Sequence, residues 1–141
     1  MNILVSACLL GVNCKYSGKN NRNENVLRLA EKHTLIPVCP EQLGGLPTPR
    51  YPSEIRGDRV INNIGEDVTA YYEKGAGEAL NIAKLFGCER AVLKARSPEC
   101  GSKEIYDGTF TKTVIPGKGI TAALLEENGI EVYDETDEFL R

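Results

Sequence analysis

The stretch Asn2-Ile3-Leu4-Val5-Ser6-Ala7, followed at once by Cys8-Leu9-Leu10-Gly11, decides how the rest of the chain is read. It is short, apolar and closed by a glycine-containing loop, which is the pattern of a buried strand. The pattern returns at Leu35-Ile36-Pro37-Val38, at Ala91 to Ala95 and at Ile130 to Tyr133. Between these runs lie helical patterns. Val26, Leu27, Leu29 and Ala30 among charged residues predict an amphipathic helix from Asn23 to Lys32, capped by Asn23 or a neighbour. A longer helix begins at Asp67 or Thr69, carries Tyr71, Tyr72, Ala76, Leu80, Ala83 and Leu85, and stops at Gly87. The last runs from Gly119 to Asn128 with Gly129 as its stop. Strands alternating with crossover helices predict the α/β class, a Rossmann-like open, mainly parallel sheet with helices on both faces. Pro37 removes a ladder donor, so the second strand belongs at an edge or is very short. The first turn lacks the Gly-x-Gly-x-x-Gly pattern, and a dinucleotide is not indicated.

Other segments read less regularly. Pro40 to Ile55 holds four prolines and two adjacent glycines, too irregular for a regular element yet too long for an idle connection, so it is expected to line the site. Arg59 to Ile64 reads as a short extended arm. The turn at Asp107-Gly108 precedes a hairpin-like excursion from Thr109 to Ile115. The polar end from Asp134 to Arg141 reads as a frayed helical turn.

A chain of 141 residues sits near the mode of domain sizes, so residues 1–141 are expected to form a single domain. With 41% hydrophobic and 26% charged residues it has the composition of a folded globular protein, not a disordered one. The net charge of −3 speaks against unspecific binding to nucleic acid and in favour of a small-molecule partner. The apolar run from Ile3 to Leu10 is too short to span a bilayer, and a cytoplasmic location is expected.

Five cysteines, Cys8, Cys14, Cys39, Cys88 and Cys100, are many for a chain with no export signal, and an odd number cannot all pair internally. Open parallel sheets bind ligands outside the carboxyl ends of their strands. Cys8 lies just past the first strand, Cys39 just past the second and Cys100 in the loop leaving the third, so three thiols from three loops converge on one edge. Cys14 either joins them or faces away. Cys88 precedes the third strand and belongs at the opposite edge as a small buried hydrophobe. Three thiolates suit a zinc ion with an open position, or a [4Fe-4S] cluster with one iron free for substrate; spacing does not choose between them.

Glu41 and Ser97 share these loops and have the chemistry to move protons beside a metal-bound substrate. The plainer reading pairs Glu41 with an arginine such as Arg50 and makes Ser97 a turn cap. Arg50, Arg56, Arg59 and Arg96 read either as anion ligands or as solvated surface. Gly44-Gly45 reads as a tight turn rather than a phosphate cradle. His33, at a helix end, is given no catalytic role.

The motifs Ser6-Ala7-Cys8-Leu9-Leu10-Gly11 with Cys14, Cys39-Pro40-Glu41-Gln42-Leu43-Gly44-Gly45-Leu46-Pro47-Thr48-Pro49-Arg50, and Ser97-Pro98-Glu99-Cys100-Gly101 resemble the short bacterial thiouracil desulfurase family. Ile105 to Gly108 and Gly119 to Leu125 extend the resemblance through nearly the whole chain. It implies an iron–sulfur-dependent, non-redox enzyme that converts a thiolated nucleobase or nucleoside to its oxo form with release of sulfide. It further implies a [4Fe-4S] cluster on Cys8, Cys39 and Cys100, with one iron not ligated by protein, and Glu41 and Ser97 as proton-transfer and positioning residues. Glu99 stands where a small residue is common, which would set an added carboxylate beside Cys100 and alter the charge of the pocket. The competing readings are a zinc-dependent hydrolase on the same thiolates and a non-catalytic iron–sulfur or sulfur-binding accessory protein.

Overall fold

The computed structural model describes residues 1–138. Its strands are β1 (Asn2–Ser6), β2 (Thr34–Val38), β3 (Ser53–Arg56), β4 (Arg59–Asn62), β5 (Arg90–Leu93), β6 (Glu104–Tyr106), β7 (Val114–Pro116) and β8 (Glu131–Asp134). Its helices are α1 (Glu24–Leu27), α2 (Pro40–Leu43), α3 (Thr69–Leu85) and α4 (Ile120–Glu127). The four runs read as strands form one parallel sheet in the order β2-β1-β5-β8. Pro37 sits on the outermost strand opposite Val5, where a missing ladder donor costs least.

Strand alternation sorts the core into two layers. Leu4, Ala91 and Leu93 face α3 and α4, joining Leu80, Ala83, Ala122 and Leu125 in one buried cluster. Ile3, Val5 and Val92 face the other way, against Leu9, Cys14 and Val26. The buried residues of α3 include Tyr72, Ala76, Ala79, Leu80 and Ala83, spaced three or four apart as a single helical face requires. The connection from β1 to β2 covers one face, and those from β2 to β5 and from β5 to β8 cover the other. The winding therefore reverses between β1 and β5, the topological switch point at which open sheets hold their ligands.

Some local expectations are corrected. The helix expected over residues 23–32 is only one turn of α-helix, α1, tightening into a 3-10 turn at Arg28–Glu31; Val26 is its one fully buried residue, too small an anchor for a long helix. Asn23 is its cap as expected, its side chain accepting from the Val26 N–H. Within the proline-rich stretch, Pro40 opens the short helix α2, whose first turn needs no proline N–H. Ser53–Arg56 pairs antiparallel with Arg59–Asn62, so the expected arm is half of a hairpin. The excursion after Asp107-Gly108 is the tip and second strand of the β6–β7 hairpin. Asp134 closes β8 instead of starting a helical turn, and residues 139–141 of that expected turn lie outside the described residues.

Candidate active site

At the carboxyl ends of β1, β2 and β5 the chain leaves a cavity of about 610 Å³. Cys8, Cys14, Cys39, Cys100, Glu41 and Ser97 all line it. Ser6, the last residue of β1, ties the switch point together: its buried hydroxyl accepts the Lys94 N–H at 3.0 Å and bonds the Cys100 thiol. Cys8 lies in a 3-10 turn over Ala7–Leu10 that Gly11 ends at φ 96°, a left-handed conformation favouring glycine. Cys39 is the residue before α2, and Cys100 lies in the loop after β5.

The position of Cys39 and Glu41 is set by the fit of α2 on α3. A Cβ on Gly75 would stand 1.9 Å from the Pro40 carbonyl oxygen, and one on Gly44 would stand 2.0 Å from the Tyr71 carbonyl oxygen. Two bare α-carbons thus let two backbones meet, and the loop from Cys39 to Gly44 is fixed against the longest helix.

All five cysteines are free thiols. Cys39 Sγ lies 3.6 Å from the Cys14 carbonyl oxygen, and the two thiols hydrogen-bond each other. That bond holds the Cys39 pKa down to about 7 and raises that of Cys14, which burial raises further. Cys39 is therefore the member of the pair that ionises first. Burial pushes Cys8 up, and pushes Cys100 up much further. Cys14 joins the other thiols, and Cys88 packs with Leu4, Ala91 and Ile130 in the core, away from the cavity, as expected.

Both plainer contacts for the polar pair are present. Glu41 Oε2 accepts from Arg50 Nη2 at 2.6 Å, with the two side chains 16% and 4% exposed. Arg50 also donates to the Cys14 carbonyl and to Thr48 Oγ1, both at 3.0 Å. Ser97 Oγ accepts the N–H groups of Glu99 and Cys100, each at 3.1 Å, which caps the loop and leaves its own O–H to donate. Neither contact removes its side chain from the cavity wall.

Glu99 corrects the expectation of an altered pocket charge. It is fully buried, does not line the cavity, and bonds Thr121 Oγ1 at 2.6 Å across to α4. Burial pushes its carboxyl well above the usual carboxylate range, and its side chain points away from the cavity toward α4. Of the four arginines, Arg59 pairs with Asp67 and Arg56 holds the Gly108 carbonyl; Arg50 and Arg96 line the cavity. His33 bonds the N-terminal amine. Sequence reading assigned no site role to Ser6, Asn21, Glu54, Tyr72, Lys94 and Phe110, which also line the cavity. Only Ser6 and Lys94 carried a usable signal, each being at or just past the end of a parallel strand.

A family model described as 2-thiouracil desulfurase matches residues 3–137. The chain belongs to the 2-thiouracil desulfurase family. The uncharacterized protein YbbK of Bacillus subtilis (strain 168) is 41% identical over 145 residues, covering 96% of each chain. A solved structure described as the [4Fe-4S]-dependent thiouracil desulfidase TudS superposes with a TM-score of 0.88 at 43% identity, covering 95% of this chain and 90% of that one. The Rossmann-like architecture is common to both.

The donors of this desulfurase fit a thiophilic cofactor: they are soft sulfur ligands from separate loops, without a disulfide to occupy them. Among the described residues no three His, Cys, Asp or Glu side chains close on one point as a single metal ion requires.

Proposed function

We propose that this chain removes sulfur from a thiolated uracil of the 2-thiouracil or 4-thiouracil type, giving the oxo base and sulfide. The observation that carries this reading is the gathering of Cys8, Cys39, Cys100 and Glu41 on one cavity at the topological switch point. Its support from outside the chain is the family and the likeness to TudS. Cys8, Cys39 and Cys100 would hold a [4Fe-4S] cluster, and the Cys14 thiol steadies Cys39. A cluster bound by three cysteines supplies an iron without a protein ligand, a sulfur-loving Lewis acid that polarises a thiocarbonyl.

The remaining chemistry belongs to side chains of the chain. Glu41 takes a proton from the attacking water while Arg50 fixes its second oxygen. Ser97, held by two backbone N–H groups, offers its O–H to the substrate. The cavity volume suits a base or its nucleoside. The C=S bond is replaced by C=O, water supplies the oxygen, and both water protons leave with the departing sulfur as hydrogen sulfide. No electron is gained or lost. Free thiols fit a reducing compartment, and we read the protein as cytoplasmic.

Anaerobic purification with iron, zinc and sulfide analysis, followed by sulfide release from 2-thiouracil and 4-thiouracil, tests the proposal. Iron and acid-labile sulfide with turnover on either compound is the expected result. Zinc in place of iron, or a loaded cluster that releases no sulfide from either base, overturns it.

A further inference from the structure

Three residues other than glycine hold a left-handed backbone among the described residues: Arg96 at φ 66°, Phe110 at 59° and Lys112 at 61°. All three line the cavity. Phe110 and Lys112 belong to the seven-residue tip joining β6 to β7, residues 107–113. A tip that only reversed the chain would place glycine or asparagine at such positions, because a bulky side chain is strained there. Strain of this kind persists where surrounding groups over-determine it, and it clusters at ligand clamps.

Here the over-determining groups come from the other hairpin. Glu54 of β3 is 8% exposed, and its Oε1 accepts the N–H of Gly108 at 3.0 Å and of Phe110 at 3.1 Å. Arg56 of the same strand donates to the Gly108 carbonyl at 2.8 Å. Gly108 lies so close that a Cβ would stand 2.8 Å from the Ile55 carbonyl oxygen, at φ 93°. One strand thus grips the tip by a carboxylate and a guanidinium while the tip's own bare α-carbon at Gly108 lets the two backbones meet, and the strained residue so held is the half-buried Phe110 on the cavity wall.

We propose that Glu54 is a positioning residue that holds the 107–113 tip so that Phe110 forms the wall against which the flat face of the thiolated base lies. This rests on the reading of the cavity as a thiouracil site. An aromatic wall binds a pyrimidine through its face whichever exocyclic oxygen is replaced by sulfur, leaving the thiocarbonyl free to point at the thiols.

The test uses cluster-loaded protein prepared anaerobically, with 4-thiouracil as probe. KM and kcat are taken from sulfide release and Kd from calorimetry on the same samples. Phe110→Ala is expected to raise KM and Kd together by roughly tenfold through loss of base stacking, with kcat within a few-fold and iron content unchanged. Glu54→Ala shifts both constants the same way, and Glu54→Gln, which keeps an acceptor oxygen in place, recovers most of the loss. The double variant Glu54→Ala/Phe110→Ala binds no worse than Phe110→Ala, because both changes remove one contact. Should Glu54→Ala fail to fold, Glu54→Asp, whose shorter carboxylate falls short of the two N–H groups, takes its place. An unchanged Kd in Phe110→Ala overturns the proposal, and fully additive losses overturn the part assigned to Glu54. Parent protein that binds 4-thiouracil but releases sulfide from neither 4-thiouracil nor 2-thiouracil defeats the desulfuration reading while the Kd series still decides the wall. Absence of binding and turnover with either base defeats both.

Discussion

Glu41 of α2 and Arg50, nine residues further along the chain, form a half-buried ion pair at 2.6 Å. The pair makes one side chain answer to two demands. Glu41→Gln keeps shape and one acceptor while removing the charge. Turnover is expected to fall by about 10²-fold or more, the usual contribution of a positioned base, with iron content unchanged. The Arg50 charge left behind should also cost about 1–3 kcal/mol of stability, less than breaking a fully buried pair. Sulfide release, iron content and melting temperature on one anaerobic sample separate the two effects. Turnover within a few-fold of the parent, with a lowered melting temperature, would leave Glu41 a purely structural residue.

The cysteines divide by sheet edge. Single replacement of Cys8, Cys39 or Cys100 by Ala should remove iron and activity together, since each comes from a separate loop. Cys88→Ser should retain both, because Cys88 packs in the core away from the cavity. Cys14→Ser is expected to keep the cluster. Iron analysis of the five variants is sufficient, and full iron in Cys39→Ala would be incompatible with the assigned ligands.

Two glycines of α3 should respond to alanine with opposite signs. Gly77 has nothing within 4 Å of a built Cβ, so Gly77→Ala should gain about 1 kcal/mol from helix propensity. At Gly75 the added carbon would stand 1.9 Å from the Pro40 carbonyl oxygen, and that gain is expected to turn into a loss of about 1–3 kcal/mol as α2 is forced away. Denaturant unfolding of both variants checks the contrast. A stabilised Gly75→Ala protein would mean that α2 does not rest on α3 as described.

Asp67 supplies a pH dependence remote from the thiols. Arg59 and the Thr69 hydroxyl and N–H hold its carboxyl well below the usual carboxylate range. A depressed pKa in the folded state contributes stability that is present above the unfolded value of ~3.9 and is lost as pH falls toward the folded one. Melting temperature should therefore decline on acidification below about pH 4, and Asp67→Asn should flatten that part of the decline. Parallel curves for parent and variant would show that the ion pair contributes nothing.

The four parallel strands, the long helix α3 and its stop at Gly87, and the cap at Asn23 were legible because each rests on local pattern. An apolar run, a period near 3.6 and a side chain reaching its own backbone need no distant partner. The β3–β4 hairpin was not, since Pro52 and the charged run through Arg56 and Arg59 hide a two-strand ribbon with only Val60 fully buried. Glu99 misled for a similar reason. Adjacency to Cys100 suggested a pocket carboxylate, whereas alternate side chains of a loop point to different places and this one meets Thr121, 22 residues away.

By itself the sequence determined the order of strands and helices, and through the strand-end rule it determined that Cys8, Cys39 and Cys100 share an edge. Backbone geometry makes that placement nearly automatic, because residues following parallel strands exit on one side. Only the tertiary structure decided that Cys14 turns inward to Cys39, that Glu41 is both paired and on the cavity wall, and that Phe110 is held in a strained conformation by Glu54. Those depend on contacts between residues 25, 9 and 56 positions apart, which carry no periodicity for a sequence pattern to record.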